Sequence, residues 1–390
     1  MSVRENDPPQ RILIVKLSAI GDVIQTLPML EALRHQYPQA QIDWLVEEDA
    51  SELLFGHPAL NRVLVSRRKS WQKRLFQKGQ FLATYREVKR FILELRGARY
   101  DWVIDNHGIL KSGILVAISR GRRKIGFKPF PGIADEGNYL FTNERYQPLP
   151  IEKHALERYL DLIAQVGVSL EEPGLKFSIP TEARNQAEKW IREKGLTSFP
   201  LVIIHPLAKW STKQWPLENF ARLADHLAAR GASLVFTGGP DDRDAVESIL
   251  DRMQRRKGTA NLTGETGLKE LAALFSCADL VLSTDTGPMH LAAAVNAPLI
   301  ALFGPTAPWR TGPYGSNHLI LRKSLPCSPC FKKKCATMEC MKSITVEEVL
   351  KAAEEKIKFG EIEPSPLRGE GVKKLDLSRN PGENRGPGNF

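Results

Sequence analysis

No stretch of this chain approaches the roughly 18 consecutive apolar residues that a membrane-crossing helix needs, so no span is expected. The opening residues, MSVRENDPPQ, are polar and carry both signs of charge, and the apolar run after them stops at Lys16. That is not the pattern of a secretory signal, and a cytoplasmic protein is expected. Cysteine is scarce, with five in 390 residues. Cys277 stands alone in an apolar helical stretch, where packing is its expected role. The other four, Cys327, Cys330, Cys335 and Cys340, form a C-x2-C-x4-C-x4-C cluster. Two readings of it stay open: a small metal knot, or a loop kept reduced in the cytosol. The first apolar strand runs into KLSAIGD and lacks G-x-G-x-x-G, which argues against a nicotinamide dehydrogenase. No nucleic-acid motif accompanies the basic residues, so no nucleic-acid partner is expected.

What the chain does have is one concentrated block of positive charge. The net charge is +10, and residues 61–99 hold twelve Lys or Arg against Glu87 and Glu94, so the remainder sums to zero. One segment therefore faces something acidic, while the rest of the surface is balanced.

The hydrophobic pattern alternates short β-branched runs with helical periodicity. Strands are expected at 11–17, 42–46, 63–65, 102–104 and 122–127, with helices between them and a Gly- and Pro-rich loop over 129–150. The pattern repeats in the second half, with strands at 201–204, 233–237, 280–282 and 299–303. This is an α/β chain with parallel sheets covered by helices on both faces. The expected domains are 1–178 and 179–358, with a disordered tail at 359–390 that is balanced in charge and rich in Gly and Pro. Two such domains place a cleft between the C-terminal edges of their sheets, where ligands of open α/β sheets bind. The loops at 18–22, 105–108, 205–213, 238–242 and 284–290 all open towards it.

The most informative stretch is ADLVLSTDTGPMHLAAAVNAPLIALFG, residues 278–304. An apolar strand breaks at Ser283-Thr284-Asp285-Thr286-Gly287, and Pro288 opens a helix, a position that suits proline. Unpaired amides at such a helix start, together with the helix dipole, favour an anion. Asp285, Thr286, Gly287 and His290 stand where a diphosphate and a sugar would be held; an ordinary strand-to-helix turn with a capped helix is the plainer alternative.

Three segments in order, KLSAIGDVIQTLPML, HPLAKWSTKQWP and STDTGPMHLAAA, resemble the bacterial ADP-heptose:lipopolysaccharide heptosyltransferases over about residues 10–355. VIDNHGILKSG and CSPCFKKKC are also similar to members of this family. The resemblance implies a glycosyltransferase B fold, two Rossmann-like domains with parallel sheets facing across a cleft. It implies inverting transfer of heptose from ADP-heptose to a sugar hydroxyl. The basic SRRKSWQKR resembles heptosyltransferase I, whose acceptor is the Kdo of Kdo-lipid A, with the enzyme peripheral on the cytoplasmic face of the inner membrane. Heptosyltransferases II and III, which use a heptose acceptor, are the alternatives within the family; a non-catalytic nucleotide-sugar or polyanion-binding protein is the alternative outside it.

By this resemblance Asp22 is the catalytic base, and it is also placed to cap its helix. Ser211, Thr212 and Lys213 join Asp285, Thr286, Gly287 and His290 on the donor. Ser18, Arg67, Arg68, Lys69, Lys73 and Arg74 face the acceptor, whose carboxylates and phosphates suit arginine forks. No DxD-type carboxylate pair stands beside the phosphate loop. No metal ligands and no required cofactor are therefore expected, and a divalent cation is expected at most to stimulate; helix amides and Lys213 offset the leaving-group charge instead.

Overall fold

The computed structural model describes residues 8–170 and 177–357. Six strands build the first half: β1 (Arg11–Val15), β2 (Gln41–Glu47), β3 (Arg62–Ser66), β4 (Arg99–Asp105), β5 (Arg120–Phe127) and β6 (Glu144–Tyr146). Six more build the second: β7 (Leu201–His205), β8 (Ser233–Phe236), β9 (Thr259–Asn261), β10 (Leu280–Thr284), β11 (Leu299–Phe303) and β12 (His318–Arg322). The central strands are buried nearly end to end, as parallel strands between two helical layers must be.

The sheet orders are β3-β2-β1-β4-β5-β6 and β12-β11-β10-β7-β8-β9, with every pairing parallel. Renumbered within its own half, the second order is the first one again. Each sheet reverses its winding once, between β1 and β4 in the first and between β7 and β10 in the second. Such a reversal opens a crevice beyond the strand ends, because successive helices leave to opposite faces.

The expected glycosyltransferase B architecture of two Rossmann-like sheets is the one observed. β6 is new: it lies in the segment expected to be loop, and its three residues pair with Ile125–Phe127 at the sheet edge. β12 and the helix Thr181–Glu193 also escaped the sequence reading. The helix Ile20–Gln36 continues through Pro28. The expected boundary at residue 178 adjoins 171–176, and the expected tail begins at 359; both of those segments lie outside the described residues.

The halves meet through helix ends. Glu52 of the first half accepts the backbone N–H groups of Leu268 (2.9 Å) and Lys269 (3.1 Å), so it caps the helix Leu268–Cys277 of the second half. A Cβ at Gly267 would meet this carboxylate at 2.6 Å. The Lys269 ammonium donates to the Phe55 carbonyl beside it. Glu52→Ala removes the cap and is expected to cost about 1–2 kcal/mol of stability, read by chemical denaturation. An unchanged unfolding midpoint would mean that water replaces Glu52 at no cost.

Candidate active site

Asp22 lies in the first turn of the helix Ile20–Gln36, at the crevice between β1 and β4. One carboxylate oxygen accepts the Ala19 N–H (3.1 Å) and the other the Tyr159 hydroxyl (2.8 Å). Burial raises its pKa. The Lys16 charge, the Tyr159 and Ala19 hydrogen bonds and the more distant His107 outweigh that, and the net result lies below the ordinary carboxylate value. Asp22 is thus both the cap and an ionised carboxylate held in a fixed pose.

Lys16 comes from the end of β1 and is buried. Its ammonium donates to the Asn106 carbonyl (3.0 Å) and sits 3.8 Å above the Tyr159 ring. Burial brings its pKa down to about 8, with the Asp22 charge acting against that shift. From the end of β4, Asp105 accepts the amides of His107 and Gly108 (both 3.2 Å) and the side chain of Asn138 (3.1 Å). That fixes the loop that presents Asn106 and His107. Burial, with the Lys16 charge, depresses His107 to about 3, so its imidazole is neutral throughout the working pH range.

Lys16, Asp22, Asn106, His107, Arg158 and Tyr159 line a cavity of about 300 Å³. Asn106 Oδ1, His107 Nδ1 and Arg158 Nε are buried with no hydrogen-bond partner in the protein. Buried polar atoms are rarely left so, and three at one cavity mark groups that a polar ligand would satisfy. A larger cleft of about 550 Å³ lies at the opposite edge of the first sheet, beside Tyr37, Asp101 and Trp102. Asp101 there is engaged by the amides of Gln10 and Arg11, so size does not select it.

At the second switch point, Asp285 follows β10 and is buried against Lys213 (2.7 Å), with the Thr306 hydroxyl donating to the same carboxylate oxygen. Lys213 also lies 4.6 Å from the Trp210 ring centre. Two residues singled out separately in the sequence thus form one ion pair. Thr286 precedes the helix Gly287–Ala294, and Pro288 sits in its first turn, as the sequence predicts. Ser211 is exposed. The Thr212 hydroxyl is buried and donates to the Lys332 carbonyl (2.8 Å), so it ties down the cysteine loop. The four clustered cysteines are free thiols, and among the described residues no three or more His, Cys, Asp or Glu side chains are arranged to hold a metal ion. Cys277 is buried in the core, as expected.

The two switch points are pressed together. His290, in the helix Gly287–Ala294, is held at Nδ1 by Gln25 (3.3 Å), and burial lowers its pKa to about 4. A Cβ at Gly21 would stand 2.3 Å from His290 Cδ2, and a Cβ at Gly287 would stand 2.8 Å from Ile20 Cβ. Each helix start is therefore a glycine because the other domain's side chain occupies the space. Gly21→Ala is expected to hold the domains apart. Turnover should fall on the order of 10²-fold, because an ångström of misplacement has that effect. Nucleotide binding should change less than turnover, which titration calorimetry beside steady-state kinetics would check.

The basic segment folds differently from a free charged loop. Arg68–Leu75 is a helix, and Trp71 is buried against Phe91. Arg68 donates to Glu47 (3.2 Å), Lys69 pairs with Asp49, and Arg74 grips Glu87 through two nitrogens. Lys111 bridges Glu47 (3.0 Å) and Ser18 (3.0 Å), so Ser18, Lys111, Glu47 and Arg68 form one cluster at the cleft rim. Arg67 and Lys73 are exposed.

Residues 88–341 match the family model of glycosyltransferase family 9 (heptosyltransferase). The chain belongs to this family. Lipopolysaccharide heptosyltransferase 1 of Pseudomonas aeruginosa is 34% identical over 336 residues, covering 83% of this chain and 87% of that protein. The Escherichia coli protein of the same name is 30% identical, covering 80% of this chain and 93% of its own length. The solved structure of E. coli heptosyltransferase WaaC with ADP superposes with a TM-score of 0.71 at 27% identity, covering 89% of this chain and 99% of the other.

The sequence reading placed the loop 105–108 at the cleft and quoted VIDNHGILKSG but gave Asn106, His107 and Lys111 no role, and it did not single out Lys16, Arg158 or Tyr159. One signal was available. In ALERYLDLIA, Arg158 falls on the same helical face as Ala155 and Leu162, and an arginine on an apolar face asks for a buried anion.

Proposed function

We propose that this family 9 glycosyltransferase moves heptose from ADP-heptose to the Kdo of Kdo-lipid A during lipopolysaccharide inner-core synthesis. The observation that carries this reading is the close approach of the two switch points: an ionised carboxylate at one, and a lysine beside a helix start at the other, meeting at Gly21 and His290. The acceptor hydroxyl gives its proton to Asp22 as its oxygen bonds to the anomeric carbon from the face opposite the diphosphate, which inverts that centre. The bond to the diphosphate breaks and ADP leaves. Lys213 and the amides at the start of Gly287–Ala294 take up the charge that develops there. Lys16 and Arg158, beside the partnerless Asn106 and His107 atoms, suit the Kdo carboxylate.

No cofactor is required in this scheme, and a divalent cation at most stimulates. The acceptor is a membrane lipid, so the enzyme works peripherally on the cytoplasmic face of the inner membrane; no helix among the described residues is long and apolar enough to cross one. The test is ADP release from ADP-heptose with Kdo-lipid A, with and without chelator. Acceptor-dependent release that survives chelation is expected. Release only with an already heptosylated acceptor would move the assignment to heptosyltransferase II or III, and no ADP-heptose binding would overturn the donor.

A further inference from the structure

The helix Phe81–Gly97 has two apolar faces. Its inner face, Thr84, Phe91 and Leu95 with Val88, closes the packing on one side of the first sheet. The second face lies on the N-terminal turns and faces solvent: Phe81 is 59% exposed, Leu82 64% and Tyr85 55%. Phe76, just before it and past the end of Arg68–Leu75, is 93% exposed. Single exposed apolar side chains are ordinary, but a cluster of large ones around one turn marks an interaction surface.

Charge says what that surface meets. Between residues 67 and 90 the sole acidic residue is Glu87, and it is taken by Arg74 and Trp71. Arg68 and Lys69 are paired with Glu47 and Asp49. Arg67, Lys73, Lys78, Arg86, Lys89 and Arg90 are exposed, and Lys78, Arg86 and Lys89 fall within two helical turns of the apolar residues along the chain. Aromatic and leucine side chains interspersed with lysine and arginine match an anionic bilayer, in which rings sit at the headgroup level and cations meet the lipid charge. Orientation agrees. Phe81–Gly97 carries the chain from the C-terminal edge of β3 back to the start of β4, so its N-terminal end lies on the side of the sheet where the active cleft opens.

We propose that the tip of this helical hairpin, Phe76 with Phe81, Leu82 and Tyr85 and the basic residues near them in the chain, is a docking surface for anionic lipid that sets the cleft against the membrane. The inference rests on the reading that the acceptor is a membrane lipid and adds where the enzyme touches that membrane.

The probe is flotation of the full chain with vesicles containing phosphatidylglycerol, against vesicles of phosphatidylcholine alone. Flotation with the anionic vesicles, weakened by salt, is expected. A Phe76→Ser, Leu82→Ser variant should lose on the order of tenfold in partitioning, and Lys78→Glu, Lys89→Glu a similar factor. All four residues are exposed, so the fold should survive; the denaturation midpoint checks that. Transfer to a water-soluble, de-acylated acceptor should be unchanged in both variants. If the wild type transfers to the soluble acceptor but stays unbound, or if the serine variant floats as well as the wild type, the docking surface is wrong while the function stands. Loss of transfer to every acceptor, with vesicle binding intact, would sink the function and leave the surface. A dimer that the serine variant breaks, without vesicle binding, would make the tip a contact between copies and overturn the proposal.

Discussion

Asp22→Asn is expected to lower turnover by roughly 10²–10⁴-fold, the range for removing a positioned acid–base group, with the ADP-heptose dissociation constant nearly unchanged. Asparagine keeps the volume and one acceptor oxygen, so the bond from Ala19 or that from Tyr159 can persist. What it cannot do is take a proton. A loss of donor binding instead would make Asp22 a structural cap. The pH profile sharpens the test. Asp22 titrates below its ordinary value, so it imposes no acid limb near neutrality. Lys16 loses its proton at about pH 8, and the positive charge beside Asp22 goes with it. A basic limb near pH 8 is therefore expected, and Lys16→Met should abolish it.

Unfolding does not explain such a limb. Lys16 titrates at about 8 when folded and at 10.5 when exposed, so between those values the unfolded chain binds more protons. Its contribution to stability rises with pH through that window. Tyr100 and Tyr159, both pushed above their ordinary value of 10, reverse the trend only beyond pH 10 or so, where the unfolded chain ionises them first. Activity that falls from pH 8 to 10 while the denaturation midpoint holds or rises is the signature of the site.

The parts of this site that were legible in sequence are those written in local chemistry. Ile20-Gly21-Asp22 and Asp285-Thr286-Gly287-Pro288 announce strand ends and helix starts by backbone requirement and capping, and the structure puts both at switch points. The surroundings were not legible, because they depend on distant partners. Asp22 meets Tyr159 across 137 residues, and Gln25 meets His290 across 265. The basic segment shows the same limit from the other side. Its charge count is plain in the sequence, but Glu47, Asp49 and Glu87 become partners only once β2, β3 and the following helices pack. Three of the five cations between residues 67 and 74, Arg68, Lys69 and Arg74, are thereby occupied. β6 stayed hidden because its three residues, Glu144–Tyr146, have no apolar pattern and exist as a strand only by pairing with β5.

Lys213→Ala should produce the other large effect, and it has two separable parts. Asp285 is almost wholly buried, with a side-chain exposure of 6%, and Lys213 neutralises it from a site that is itself 17% exposed. Breaking a fully buried pair costs 3–5 kcal/mol; allowing for the exposure of the lysine, a loss of about 2–3 kcal/mol is expected. If the ammonium also stabilises the departing diphosphate, turnover falls on the order of 10²–10³-fold as well. The single variant cannot apportion these, since a loosened Asp285 would itself disturb the helix start at Gly287. Lys213→Met combined with Asp285→Asn can, because it removes both charges and leaves no buried ion behind. Recovery of the unfolding midpoint with turnover still depressed would place Lys213 on the donor phosphates. Recovery of both would reduce it to the counter-ion of Asp285, and the stabilisation of the leaving group would then rest on the amides at Gly287 and its neighbours.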